Sequence, residues 1–187
     1  MPRRTRQLAA STALLVLAAS TARAALPVGA KAPDFAARAA LDGHEFRFSL
    51  TEALHRGPVV VYFYPAAFTR GCTIEAHDFA AALPDYKAAG ATVIGVSEDR
   101  IATLDKFSVS ACQGKFPVAA DADGSIARHY DALMPVMHYA RRTSYVIAPD
   151  GSVLESYSAM NPDGHVQKTL QAVQAWRAQH TAQGLRP

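Results

Sequence analysis

Two short apolar runs in the middle of the chain are the clearest strand signals in the sequence. The first, Val59–Phe63, contains only β-branched and aromatic residues, as expected for a strand covered on both faces. Pro65 follows it and ends the strand, because proline has no backbone N–H to donate. The second run, Ala91–Ser97, has a similar character and ends at polar residues. We therefore predict two buried strands at the centre of a sheet.

Apolar residues at helical spacing follow these strands. The first predicted helix covers 72–83 and ends at Pro84, after which a second short helix begins. Another helix is predicted at 101–110, and a long amphipathic helix at about 164–180. Trp176 lies on the apolar stripe of this last helix and is interpreted as a core anchor.

Turn signals indicate two β-hairpins. Asp42-Gly43 lies between extended segments near the start of the domain, and Pro149-Asp150-Gly151 separates two strand-like segments near its end. Strands and helices alternate between these hairpins, and a helix closes the chain. This order predicts an α/β fold with a central mixed β-sheet, flanking helices and an N-terminal β-hairpin.

The first 24 residues of this 187-residue chain differ in composition from the rest. A basic start, a short apolar run and a small-residue end are typical of a secretory signal peptide. The three parts are Arg3-Arg4-Thr5-Arg6, the run 8–19 and Ala22-Arg23-Ala24. The run is short for a membrane span of about 20 residues, so cleavage is favoured over an uncleaved anchor. We predict a signal peptide at 1–24 and one domain at 25–187, exported to an oxidising compartment, the bacterial periplasm.

Loss of this segment also changes the charge of the chain. The formal charge of +3 includes four arginines in residues 1–24, so the predicted mature chain has 15 basic and 16 acidic residues and a charge of −1. The basic character therefore belongs to the export signal. Binding to nucleic acid or to an anionic membrane loses its main support.

Cys72 is the residue with the strongest chemical signal. It falls in the first turn of a predicted helix, where unpaired N–H groups and the helix dipole stabilise a thiolate. Cys112 is the other cysteine of the chain. In an oxidising compartment two cysteines can form a structural disulfide or a redox-active pair, and the placement of Cys72 favours the redox-active pair.

The segment around Cys72 resembles the active-site signature of the peroxiredoxins. The matching residues are Phe63-Tyr64-Pro65, Thr69 and Gly71-Cys72-Thr73-x-Glu75-Ala76, which are most similar to the bacterioferritin-comigratory (PrxQ-like) branch. The resemblance implies a thioredoxin-like fold and a thiol peroxidase acting on hydrogen peroxide or organic hydroperoxides, with Cys72 as nucleophile. It implies that Thr69 contacts the peroxide or the thiolate and that Pro65 shapes the loop over the sulfur.

The same pattern places an arginine at the start of a late strand. Arg142-Thr143-Ser144-Tyr145-Val146-Ile147 resembles that stretch, which assigns the cation beside Cys72 to Arg142. Arg141 is the alternative, because adjacent strand residues point to opposite faces. Glu75, one helical turn after Cys72, is a candidate to orient the arginine.

The resemblance departs from the family pattern at His77. Many PrxQ-like members carry a second cysteine there, five residues after the first, whereas others place it on the following helix. Cys112 is at the end of such a helix, which implies a Cys72–Cys112 disulfide reduced by a thioredoxin-like protein or a small thiol. The alternative is a one-cysteine cycle with an external thiol.

Two other functions are compatible with an exported thioredoxin-like chain. A thiol-disulfide oxidoreductase normally needs Cys-x-x-Cys, but Thr69 occupies the first of these positions. A copper-binding factor would need two close cysteines and a suitable histidine, and none of the seven histidines stands out. No motif indicates a metal, haem, flavin or nucleotide cofactor. By analogy with PrxQ-like proteins, we expect a monomer or weak dimer.

Overall fold

The computed structural model describes residues 25–134, 136–137 and 139–184, so the predicted signal peptide at 1–24 lies outside the described residues. The strands are β1 (Ala36–Leu41), β2 (His44–Ser49), β3 (Val59–Phe63), β4 (Thr92–Ser97), β5 (Val118–Ala120), β6 (Thr143–Ile147) and β7 (Val153–Ser158). The helices are α1 (Leu50–Leu54), α2 (Arg70–Ala88), α3 (Ile101–Ser110), α4 (Ser125–His129) and α5 (His165–Gly184).

The seven strands form one sheet in the order β2-β1-β5-β4-β3-β6-β7. β4 pairs in parallel with β3 and β5, whereas the other pairs are antiparallel. The predicted mixed sheet is confirmed. Both predicted hairpins are also present: Asp42 and Gly43 turn between β1 and β2 with φ values of 50° and 74°, which suits the right-handed twist of the strands.

β3 divides the core into two halves because its side chains alternate between the two faces of the sheet. Val60 and Tyr62 pack with α2, α3 and α5 on one face. Val59, Val61 and Phe63 pack with α1 and α4 on the other face. The continuous apolar run thus serves two cores, and all five residues of β3 are fully buried.

The prediction that a helix ends at Pro84 is wrong, since α2 continues through this residue to Ala88. A proline inside a helix removes one hydrogen bond to the carbonyl four residues earlier, which here is Ala80. Lys115 Nζ donates to that carbonyl at 3.2 Å and replaces the missing donor. A residue distant in sequence therefore compensates for a break that local pattern alone predicts.

The interpretation of Trp176 as a core anchor is also wrong. Its side chain is partly exposed and stacks on His180 with 4.1 Å between ring centroids, while Val173 fills the core from α5. Within the described part of the chain, no helix has the length and apolarity to cross a membrane. In the same ranges, no three His, Cys, Asp or Glu side chains are grouped closely enough to hold a metal ion.

Candidate active site

Cys72 lies where the central strand β3 leads into helix α2. β3 ends at Phe63, a short loop containing the half-buried Pro65 follows, and α2 begins at Arg70. The Cys72 side chain is 1% exposed. The sulfur therefore lies near the positive end of the helix dipole, beneath a loop that shields it from bulk water.

Arg142 is brought to Cys72 by strand pairing. β6 runs antiparallel to β3 with Thr143 opposite Phe63, so the residue before β6 lies beside the end of β3. Arg142 is 4% exposed, and its Nη2 donates to Cys72 Sγ at 3.4 Å. Gly71 permits this approach, since a Cβ there would lie 3.1 Å from Nη2.

Two further acceptors hold the guanidinium of Arg142 in place. Nη1 pairs with Glu75 Oε2, and Nε donates to the carbonyl oxygen of Met160 at 3.0 Å. Burial lowers the pKa of Arg142, but the negative charges at Glu75 and Cys72 more than offset burial and raise it above its ordinary value. The sulfur therefore has a permanent cation beside it, and the hydrogen bonds of that cation keep it in place.

Glu75 and His165 form the deepest layer of the site. Both side chains are fully buried, with Glu75 Oε1 3.6 Å from His165 Nδ1. Burial raises the pKa of Glu75 to about 8 against the opposing effect of Arg142, and burial lowers the pKa of His165 to about 4. His165 is not among the residues that the sequence pattern singles out. Its position directly after Gly164, at the start of a helix, is the only local signal for it.

Thr69 is at the N-terminal boundary of α2 and is exposed. Its hydroxyl donates to the carbonyl oxygen of Ala66 at 2.9 Å, and its own carbonyl accepts from the N–H of Thr73. The neighbouring Phe68 has a φ of 65° and packs edge-on against Phe107 with 5.2 Å between ring centroids. The contacts of Phe68 and Thr69 thus hold the loop before α2 in place. The Thr69 hydroxyl oxygen retains lone pairs that can accept a hydrogen bond.

Cys112 lies just after α3 in the same core cluster as Cys72. It is fully buried, and both cysteines are free thiols. Burial raises the pKa of the Cys112 thiol, with no charged group opposing this effect. The structure therefore brings Cys72, Glu75 and Arg142 into contact and places Cys112 in the surrounding core without bonding it to Cys72.

Comparisons with known proteins agree with this arrangement. A family model described as AhpC/TSA family matches residues 28–156. Peroxiredoxin Bcp of Xanthomonas campestris is 35% identical over 124 residues, covering 63% of this chain and 76% of that protein. A putative peroxiredoxin bcp of Helicobacter pylori is 35% identical over 154 residues, covering 79% of this chain and 98% of that protein. The chain belongs to the AhpC/TSA family, as a peroxiredoxin of the Bcp branch.

Solved structures support the same conclusion for this peroxiredoxin. Peroxidoxin BcpB of Mycobacterium tuberculosis superposes with a TM-score of 0.72 at 30% identity, covering 79% of this chain and 96% of that one. A Xanthomonas campestris bacterioferritin comigratory protein, described for its alkyl peroxide reduction activity, gives a TM-score of 0.67 at 29% identity and covers 75% and 91% of the two chains. The thioredoxin-like peroxiredoxin fold is confirmed, and the chain is a peroxiredoxin peroxidase.

Proposed function

We propose that this peroxiredoxin reduces hydrogen peroxide or organic hydroperoxides with the thiolate of Cys72 as nucleophile. The observation that carries the proposal is the Arg142 guanidinium, held 3.4 Å from a sulfur in the first turn of a helix. A fixed cation at this distance stabilises both the thiolate and the negative charge that develops on the peroxide oxygens. Similarity to a protein described for alkyl peroxide reduction supports the choice of substrate class.

Thr69 and the first turn of α2 supply the other polar groups. The Thr69 hydroxyl hydrogen is directed to Ala66, so its oxygen accepts a hydrogen bond from the peroxide O–H. The N–H groups of Gly71 and Cys72 belong to the first helical turn, where no intrahelical acceptor is available to them. Pro65 presents no N–H in the loop and limits the access of water to the sulfur.

In the first step, the Cys72 sulfur attacks the nearer peroxide oxygen and the O–O bond breaks. The sulfur is oxidised to a sulfenic acid, and the departing oxygen takes a proton and leaves as water or an alcohol. Glu75 and the Met160 carbonyl keep Arg142 in position while negative charge moves from sulfur to oxygen. Because the donors are already oriented, no reorganisation is needed during the reaction.

In the second step, the thiol of Cys112 condenses with the sulfenic acid, forming the Cys72–Cys112 disulfide and releasing water. The presence of both cysteines in one core cluster supports this pairing. A disulfide needs Cα atoms within roughly 7 Å, and a buried thiol must become reachable first. Gln113 and Gly114, both with positive φ directly after Cys112, form a turn at which this segment can leave the end of α3.

A one-cysteine cycle is the second candidate. The observation that favours it is the complete burial of Cys112, which raises the pKa of its thiol and makes it a poor nucleophile in place. In that cycle an external thiol attacks the sulfenic acid, which forms a mixed disulfide with Cys72 and releases water. A second external thiol then attacks the mixed disulfide, which forms an external disulfide and releases the Cys72 thiol.

The reductant and compartment follow from the same proposal. A thioredoxin-like dithiol protein, or two molecules of a small thiol, supplies two electrons and two protons to reduce the disulfide. We place the enzyme in the bacterial periplasm after removal of residues 1–24, on the basis of their signal-peptide composition. We propose that it acts there as a monomer or weak dimer, without a cofactor.

Peroxide consumption by the purified protein with a dithiol reductant tests the proposal. Cys72→Ser should abolish turnover, whereas retention of turnover would overturn the assignment. Peptide mapping under non-reducing conditions, after one equivalent of peroxide, separates the two cycles. A Cys72–Cys112 crosslink supports the two-cysteine cycle, and a persistent sulfenic acid or a mixed disulfide supports the one-cysteine cycle.

A further inference from the structure

An aspartate that the reaction steps above do not use ties the loop of Thr69 to the end of the neighbouring strand. β3 and β4 are parallel, with Phe63 opposite Val96, so the segments that follow them leave the same edge of the sheet. Asp99 lies between β4 and α3 and is half-buried. Its Oδ2 accepts a hydrogen bond from the N–H of Ala67 at 2.7 Å. A side chain after one strand thus holds the backbone that follows the other.

The Asp99 carboxylate is itself held in one orientation. Its Oδ2 also accepts from the Ser97 hydroxyl at 2.9 Å, and the Asp99 N–H donates to that hydroxyl oxygen at 3.4 Å. Ser97 is the last residue of β4 and is 1% exposed, so the anchor belongs to the sheet. Hydrogen bonds to an ionised acceptor are shorter and about twice as strong as bonds between neutral groups. The carboxylate is therefore a strong, fixed acceptor for the Ala67 N–H.

The peptide unit between Ala66 and Ala67 connects this contact to Thr69. In a trans peptide the N–H and the carbonyl point in opposite directions, so an Ala67 N–H that faces Asp99 turns the Ala66 carbonyl away from it. That carbonyl accepts the Thr69 hydroxyl at 2.9 Å. Hydrogen bonds in such a chain polarise one another. The Asp99 carboxylate therefore both orients the peptide unit and strengthens the bond that fixes the Thr69 proton.

The direction of the Thr69 hydroxyl decides which hydrogen bond it offers to a peroxide. A hydroxyl has one proton and two lone pairs. While its proton is bonded to the Ala66 carbonyl, the exposed oxygen offers only lone pairs, which suit the O–H of a hydroperoxide. If the peptide unit turned, the proton would lose its acceptor and the hydroxyl would rotate freely. It would then present an acceptor to the peroxide only part of the time.

We propose that Asp99 is a positioning residue of the peroxidase reaction: through the peptide unit between Ala66 and Ala67, its carboxylate holds the Thr69 hydroxyl as a hydrogen-bond acceptor for the peroxide. This inference rests on the proposed function and deepens it. Asp99 acts through the backbone of the loop and not on the sulfur. Removal of its carboxylate should therefore slow the reaction with peroxide without making the Cys72 thiolate less reactive.

The first test is the rate constant of sulfenic acid formation in Asp99→Ala, measured by stopped flow. The Ala67 N–H loses its acceptor, and the rate constant should fall about tenfold, because a small displacement of a positioned group is costly. Asp150→Ala is the matched control, since Asp150 accepts from the N–H and the hydroxyl of Ser152 at 2.9 and 2.6 Å in the β6–β7 hairpin. An unchanged rate in Asp99→Ala, or an equal fall in Asp150→Ala, contradicts the inference.

Asp99→Asn gives a graded version of the same test. It keeps an acceptor oxygen but removes the charge, so the rate constant should fall by only about threefold. The contact between Phe68 and Phe107, 5.2 Å between ring centroids, remains in both variants and keeps the loop in place. If Asp99→Ala does not fold, Asp99→Asn replaces it, and an unchanged rate in that variant contradicts the inference.

Alkylation of Cys72 by iodomethane, in a Cys112→Ser background with a single reactive thiol, separates an effect on Thr69 from an effect on the thiolate. Iodomethane has no O–H or N–H to donate, so it gains nothing from the Thr69 oxygen. Asp99→Ala should leave the alkylation rate at neutral pH within about twofold of the parent or raise it, because loss of a negative charge favours the thiolate. A slower alkylation, beyond that margin, overturns the inference.

A double variant shows whether Asp99 acts through Thr69. In a Thr69→Val background no hydroxyl remains to be oriented, so Asp99→Ala should lower the peroxide rate by less than about a further twofold. A larger additional loss means that Asp99 acts on another group and overturns the inference. Failure of the proposed function is distinguishable from these results, because it appears as absent peroxide consumption by the unmodified enzyme.

Discussion

Cys72 and Cys112 are two thiols in one core cluster, with 1% and 0% exposure, but their electrostatic surroundings differ. Cys72 lies in the first turn of α2 and accepts a hydrogen bond from Arg142. Cys112 follows the end of α3, and burial alone acts on its pKa. Burial without a cation makes a thiol inert, whereas burial beside a cation at a helix start prepares a nucleophile. Substitutions that change these surroundings should therefore change the reactivity or the ionisation of each thiol.

Arg142→Met should remove most of the difference between the two thiols. It leaves Cys72 in an apolar site without a cation, as Cys112 already is. Loss of a charged donor to the reacting atoms should lower the second-order rate constant for peroxide by about 10²- to 10³-fold. Stopped-flow measurement of sulfenic acid formation checks this result.

The control is Arg141→Met, the same substitution one residue earlier. We expect it to change the rate by less than about twofold, since adjacent residues of an extended segment point to opposite sides. Equal losses in the two variants would show that the position of the guanidinium beside the sulfur does not matter.

Cys112 should make the free energy of unfolding depend on pH. An unfolded cysteine has a pKa of about 8.5, and burial raises the pKa of Cys112 above that value in the folded protein. Folded Cys112 therefore keeps a proton that the unfolded chain loses, and its contribution to stability is present below about pH 8.5 and is lost as pH rises. The free energy of unfolding should decrease by up to about 1.4 kcal/mol per pH unit above this point.

Urea unfolding of the reduced protein at neutral pH and at about pH 10 measures this slope. Cys112→Ala removes the titrating group and should show a shallower decrease over the same interval. Parallel curves for the two proteins would mean that the Cys112 environment does not resist ionisation.

Gly71→Ala should lower the rate of reaction with peroxide without lowering the stability of the fold. Gly71 lies in α2 without a positive φ, so alanine adds no backbone strain and can favour the helix by up to about 1 kcal/mol. Its Cβ would lie 3.1 Å from Arg142 Nη2, and the guanidinium is held by Glu75 and Met160. We expect a loss of about three- to tenfold in peroxide rate without a lower melting temperature. An unchanged rate would show that the guanidinium has room to move.

The smallest effect concerns a polar link between the segments that carry the two thiols. Lys115, three residues after Cys112, donates to the Ala80 carbonyl that Pro84 leaves without its helical partner. Lys115→Met should lower the free energy of unfolding by about 0.5 kcal/mol, as expected for a partly exposed hydrogen bond. Lys106→Met, an exposed lysine on α3, is the matched control and should be neutral.

The local pattern around β3 and α2 was sufficient to predict the reactive segment. A continuous apolar run, a proline and a helical repeat place Cys72 at the start of a helix by local rules alone. Glu75 follows on the same helical face, one turn later. Arg142 is distant in sequence, and only its resemblance to a family pattern indicated that it meets Cys72. The pairing of β3 with β6 is the physical reason that it does.

Long-range contacts explain what the sequence did not reveal. A single sequence contains no signal that Lys115 reaches Ala80, so Pro84 was expected to end the helix. No local pattern marks His165, because its burial depends on the packing of α5 over β6 and β7. Its link to Glu75 arises only in the folded molecule.

The division of the core by β3 has a practical consequence. Cys72, Arg142 and the residues that hold them lie on the face covered by α2 and α5, while α1 and α4 cover the opposite face. Exposed positions on these two short helices, such as Glu52 and Arg128, are therefore suitable places to attach a fluorophore or to immobilise the enzyme on an electrode. A peroxide sensor built in this way would keep the entrance to the sulfur open towards the sample.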